Sequence, residues 1–186
     1  MGKVIVIEFV TLDGVVEDPD GKESTPGGGW AFRFGPGAVA GDKFKIGPIF
    51  DTGVLLLGRR TWEKFSGIWP NGTDDFSMAM NKIPKLVVSN TSPVLDAWSN
   101  STLLEGELVD GVARVARERD VVVAGSTSVV HALAAADVVD EYRLLVFPAA
   151  VGAGEKLFVA PVDLALTSNE TSGAAVLLRY ERRAQS

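Results

Sequence analysis

The stretch Val121-Val122-Val123-Ala124-Gly125-Ser126-Thr127-Ser128-Val129-Val130 decides the fold. Its unbroken apolar start reads as a strand buried on both faces, because a strand with one wet face would alternate. A glycine and three hydroxyl residues end that run. Val129, Val130 and Leu133 then resume at helical spacing, and the helix stops near Asp137. A hydroxyl at Ser126 or Thr127 can accept from the free first-turn amides of such a helix. A buried strand that runs straight into a helix is the building unit of a parallel or mixed α/β sheet.

Three other runs have the same texture: Val4 to Ile7, Val54 to Leu57 and Lys85 to Val88. Leu108, Val109, Val112, Val115 and Ala116 recur every three or four residues and end in Arg117-Glu118-Arg119, as a crossover helix does. Glu141 to Phe147 and Val176 to Arg182 mix apolar with charged positions, which predicts an antiparallel, hairpin-like pair near a sheet edge. Val16 to Gly41, rich in Gly, Pro and Asp, reads as one long loop suited to substrate contacts. The expected architecture is a mixed, mostly parallel central sheet with helices on both faces and an antiparallel C-terminal strand pair.

Composition narrows the function. The chain has 186 residues, 46% of them hydrophobic, enough for one well-filled domain spanning 1–186. With no cysteine and one histidine, disulfides and thiolate metal sites are excluded, and a histidine-based triad would need His131. A net charge of −6 argues against a nucleic-acid partner. Apolar runs fall well short of the roughly 20 residues that cross a bilayer. Without a signal-peptide pattern at the N-terminus the protein is expected to be cytoplasmic. The acceptor patterns at Asn71, Asn90, Asn100 and Asn169 are then chance matches.

Three buried strands end alike, in Gly58-Arg59-Arg60-Thr61, Ser89-Asn90-Thr91 and Gly125-Ser126-Thr127-Ser128. Ligands of open α/β sheets bind outside the carboxyl ends of the strands, so the three segments can converge on one ligand. Glycine lets backbone approach it, helix N-termini favour an anion, and the paired guanidinium groups suit a phosphate monoester. That favours NADPH over NADH. Each segment also has an ordinary use, as a helix cap or a solvated face.

Leu55-Leu56-Leu57-Gly58-Arg59-Arg60-Thr61-Trp62-Glu63 resembles the Gly-Arg-x-Thr-Trp-Glu motif of dihydrofolate reductase-like proteins. Thr11-Leu12-Asp13-Gly14, Val121 to Ser126, Val138 to Leu144, Phe147-Pro148 and Gly152 to Phe158 together resemble the C-terminal reductase domain of bifunctional riboflavin-biosynthesis enzymes. The resemblance spans almost the whole chain. It implies a dihydrofolate reductase-like three-layer sandwich and a homodimer, with the C-terminal strands available as its surface. By matching positions, Arg59, Arg60 and Thr61 would hold adenosine-side phosphates, Ser89 would lie near the 2′-phosphate, and Gly125, Ser126, Thr127 and Ser128 would hold the pyrophosphate. Ala124 departs from the pattern, where a second glycine is usual. The zinc motif of the companion deaminase is missing, so the resemblance implies a free-standing reductase domain.

The reading is therefore an NADPH-dependent oxidoreductase acting on a small heterocycle, pterin-like or riboflavin-precursor-like. The alternatives are dihydrofolate reductase proper and a non-catalytic dinucleotide-binding module. Reduction also needs a proton. Asp42 is the candidate donor: in a helix over 36–46 it would face inward, three after Val39 and four before Ile46. Asp13-Gly14 reads as a turn, and so does Gly152-Ala153-Gly154. His131 is expected at a surface or interface. Trp30, Phe32 and Phe34 either line a flat-ring pocket or simply pack the loop.

Overall fold

A computed structural model describes residues 1–183. Eight strands form one sheet: β1 (Val4–Thr11), β2 (Val54–Gly58), β3 (Lys85–Val88), β4 (Ser101–Leu103), β5 (Val121–Val123), β6 (Glu141–Phe147), β7 (Leu164–Ser172) and β8 (Ala175–Arg182). Their order is β4-β3-β2-β5-β1-β6-β8-β7. Five helices accompany them: α1 (Ile49–Thr52), α2 (Arg59–Ser66), α3 (Asp75–Lys82), α4 (Leu108–Ala116) and α5 (Thr127–Ala135). The chain divides into two compact units, one of Met1–Val6 with Ile46–Val139, the other of Ile7–Lys45 with Asp140–Ser186.

In the first unit β2 pairs in parallel with both β3 and β5, and β5 with β1. Strand β2 is buried along its whole length and β5 likewise, as continuous apolar runs require. Strand β3 departs from its apolar appearance, because Lys85 is buried at its head. Its ammonium donates to the carbonyls of Asn81 and Ser99, at 2.8 and 3.0 Å, and sits 4.5 Å from the Trp98 ring centroid. Helix α3 starts at Asp74, whose carboxylate accepts from the Phe76 and Ser77 amides.

In the second unit β8 pairs antiparallel with β6 and with β7. The predicted C-terminal pair therefore forms, with two corrections. The hairpin is β7–β8, joined through Gly173 at φ +61°. And β6 lies inside the sheet, where its charged residues are buried as a mutual pair: Arg143 Nε donates to Glu141 Oε1 at 2.6 Å. Buried charges are tolerated when paired and hydrogen-bonded, and Arg143 Nη1 also donates to the Phe44 and Lys45 carbonyls. On the same sheet face Leu145, Phe147, Ala175 and Leu177 pack with Trp30, Ala31 and Ala38.

The loop from Val16 to Gly41 is an ordered system of turns. Asp18, buried, accepts from the Glu23 amide and from both the amide and the hydroxyl of Thr25, each at 3.0 Å. A Cβ on Gly28 would lie 2.9 Å from the Asp18 carboxyl carbon, so glycine is needed for the approach. Trp30 is fully buried and donates to the Glu17 carbonyl, and Phe34 packs on Phe147, while Phe32 stays 51% exposed. Of the three aromatic candidates, two belong to the core.

Candidate functional site

The ends of β2 and β5 meet as the strand-end reading expects. The Gly58 amide donates to the Gly125 carbonyl at 3.0 Å, and a Cβ on Gly58 would fall 3.0 Å from the Ser126 amide nitrogen. Gly125 has φ +84°, a conformation that favours glycine, and its peptide bond to Ser126 is cis. Gly58 pairs with Val88 in the β2–β3 register, so Ser89 follows directly alongside. Residues 58 to 61, 89 and 125 to 128 thus form one rim in the first unit.

Each helix on this rim begins without an acid. Gly58 precedes α2 and provides no side-chain cap, and the first turn of α2 holds no acidic residue. Ser126 occupies the cap position of α5, yet neither it nor Thr127 caps the helix as expected. The Ser126 hydroxyl is paired instead with that of Ser128, 2.9 Å away. Both helix ends therefore present first-turn amides that no side chain covers, with their partial positive charge directed outward. Helix α3, capped by Asp74, shows the ordinary arrangement on the same chain.

The two guanidinium groups differ. Arg59 Nη1 donates to Glu63 Oε1 at 2.7 Å, four residues on along α2, with the side chains 40% and 47% exposed. Arg60 is exposed and has no partner among the described residues. Ser89 closes a local turn by accepting from the Thr91 amide at 3.1 Å. Glycine and arginine placement was readable in the sequence. The Glu63 partnership was not singled out there, although its i, i+4 spacing signals it.

Asp42 needs a correction. No helix covers 36–46: Pro36–Ala38 is a single 3-10 turn, and Gly35, Gly41 and Lys45 all take positive φ, which breaks helical continuity. Asp42 is half-buried in the turns that follow, so the predicted inward helical face does not exist. The adjoining Phe44 and Lys45 carbonyls are held by Arg143.

Asp13 is a structural residue. Its carboxylate accepts from the Thr11 hydroxyl at 2.6 Å and from the Gly152 and Val151 amides, with the Lys156 ammonium 3.5 Å away. Those partners hold it well below the ordinary carboxylate range. Gly152 and Gly154, at φ +81° and +128°, form the expected turn. One carboxyl that sequence reading passed over behaves in the opposite way. Burial pushes Glu8, on β1, up to about 8, and the Glu155 carboxylate adds to the rise. Only its position inside an apolar strand hinted at this. His131 is half-buried on α5.

The first unit thus brings glycine-lined strand ends of a mixed α/β sheet together with two acid-free helix starts, an arrangement whose electrostatics favour an anion. The chain belongs to the RibD C-terminal domain family, whose model matches residues 2–178. Solved structures share the fold. A protein assigned to riboflavin biosynthesis from Shewanella sp. PV-4 superposes with a TM-score of 0.74 at 20% identity, covering 99% of this chain and 100% of that one. A pyrimidine reductase-like protein from Corynebacterium diphtheriae gives 0.63 at 11% identity, covering 99% and 93%. Acinetobacter baumannii RibD gives 0.62 at 14% identity, and there this chain, covered to 98%, spans 58% of the other. No curated protein matches the sequence. Among the described residues, no helix is long and apolar enough to cross a membrane.

Proposed function

We propose that this protein is an NADPH-dependent oxidoreductase that delivers hydride to a small heterocycle, of the pyrimidine kind found among riboflavin precursors. The observation that carries the reading is the joined rim at Gly58 and Gly125, where two helices start without acidic residues and Arg60 stands free. Cations at the start of a helix oppose its dipole. Two adjacent arginines at the head of α2 are thus costly for the helix alone and useful to a bound phosphate. The rim suits a dinucleotide: Gly125 to Ser128 for the pyrophosphate, Arg59, Arg60 and Thr61 for the adenosine-side phosphates, and Ser89 for the 2′-phosphate. The nicotinamide, when bound, would supply the hydride. Family membership and the names of the fold relatives support the substrate class.

Calorimetric titration tests this. NADPH should bind more tightly than NADH, and Arg60→Ala should weaken NADPH by about tenfold to a hundredfold, the 1.5–3 kcal/mol of a charge-assisted contact, while changing NADH far less. Equal affinities for the two cofactors would count against it. We propose Asp42 as the proton source. Asp42→Asn should lose one limb of the pH–rate profile, and an unchanged profile would remove it from the mechanism.

We also propose a homodimer formed through the C-terminal strands, where Leu166 on β7 and Val176 on β8 are 52% and 37% exposed. Sedimentation should show a dimer that Val176→Asp converts to monomer, and a monomeric wild type would refute it.

A further inference from the structure

The segment Gly58-Arg59-Arg60-Thr61-Trp62-Glu63 contains one charged residue that neither the fold nor the proposed site has used. Gly58 gives clearance for Ser126, and Trp62 is buried with its indole N–H donating to the Ser101 hydroxyl at 2.8 Å. Arg60 stands free. Glu63 is exposed, and its carboxylate makes one hydrogen bond, from Arg59 Nη1 at 2.7 Å.

Helix stability gives a poor account of that pair. Exposed i, i+4 pairs contribute little, and the favourable order puts the acid towards the helix N-terminus and the cation towards the C-terminus. Here the order is reversed. Arg59 is the first residue of α2 and Glu63 lies four residues nearer its C-terminal end, so the arginine opposes the dipole and its side chain is drawn back along the helix. A phosphate at the acid-free start of α2 would draw the same guanidinium the other way.

We propose that Glu63 is a specificity-setting positioning residue that competes with the ligand's phosphate for the Arg59 guanidinium. The inference rests on the dinucleotide reading above. Glu63 weakens binding by occupying one edge of the Arg59 fork, which the phosphate must win back. The effect grows with ligand charge, so it is larger for the cofactor carrying the extra phosphate. Glu63 thereby limits how far the site prefers NADPH over NADH.

The test is calorimetric titration of NADPH and NADH into the wild type, Glu63→Gln, Arg59→Ala and the double variant. Glutamine keeps the shape and removes the charge. Glu63→Gln should tighten NADPH two- to fivefold and NADH by clearly less, and the gain should vanish in the Arg59→Ala background. The melting temperature of the unliganded protein should hardly move, as expected for an exposed pair. An unchanged NADPH-to-NADH ratio in Glu63→Gln, or a gain that survives without Arg59, overturns the inference while leaving the dinucleotide reading intact. A wild type that binds neither cofactor overturns that reading and the inference with it.

Discussion

Replacing Gly58 with alanine should destabilise the protein by about 1–3 kcal/mol and abolish most dinucleotide binding. The reason lies in packing. Gly58 has φ −64° and ψ 150°, a conformation open to any residue. A Cβ there would fall 3.0 Å from both the amide nitrogen and the Cβ of Ser126, with the Ser126 hydroxyl nearer still. Backbone must then move, and the backbone that moves carries the start of α5. The Gly58–Gly125 hydrogen bond would stretch, and the two helix ends would no longer face one ligand. Gly37→Ala is the control, since nothing lies within 4 Å of its added carbon. Urea unfolding with NADPH titration checks both parts. A Gly58→Ala protein with wild-type affinity would mean that the close approach of the strand ends has no functional role.

Stability should fall as pH rises from about 5 to 8, and Glu8→Gln should remove that fall. The folded-state value of Glu8, about 8, lies above its ordinary 4.5. The folded protein therefore holds a proton that the unfolded chain has released, so the contribution is complete below about 4.5 and is lost as pH passes through 8. Its size is on the order of 5 kcal/mol at most, the full shift from 4.5 to about 8 for a buried carboxyl. Lys85 acts in the opposite sense at higher pH. Burial lowers it to about 8 from 10.5, so stability recovers as pH rises between those values. The expected curve has a minimum near pH 8. Unfolding midpoints across pH 5 to 10 should show it in the wild type, and Glu8→Gln should be the more stable protein at pH 8.5. A wild-type curve that is flat from pH 5 to 8 would refute the assignment of a buried neutral carboxyl.

Legibility followed burial. Strands β2 and β5 were visible because strands covered on both faces are apolar throughout. Strands β1 and β3 were visible because most of each run is apolar, although β3 alternates between buried and half-buried, and α4 and α5 because one face of each meets the core. Strand β4 was missed: Ser101-Thr102-Leu103 is three residues long and takes its place from pairing with β3. Strand β7 was missed because Thr167-Ser168-Asn169-Glu170-Thr171 lies at the exposed edge, where pairing with β8 asks little of side chains. The helix expected over 36–46 failed because spacing alone was weighed against glycines that leave the helical region. At the site, residue types at strand ends were readable and their partners were not. Arg59 and Arg60 look equivalent in the sequence, yet one is tied to Glu63 and the other is free. Asp18 looked like one more loop acid, and only the folded chain shows that it organises the turns around Gly28.

The most direct test of the central claim is an amide-resolved NMR titration with NADPH. The largest shift changes are expected at the backbone N–H groups of 58 to 61 and 125 to 128, together and at one saturating concentration. Changes confined to other residues, or shifts at one of these segments without the other, would contradict it.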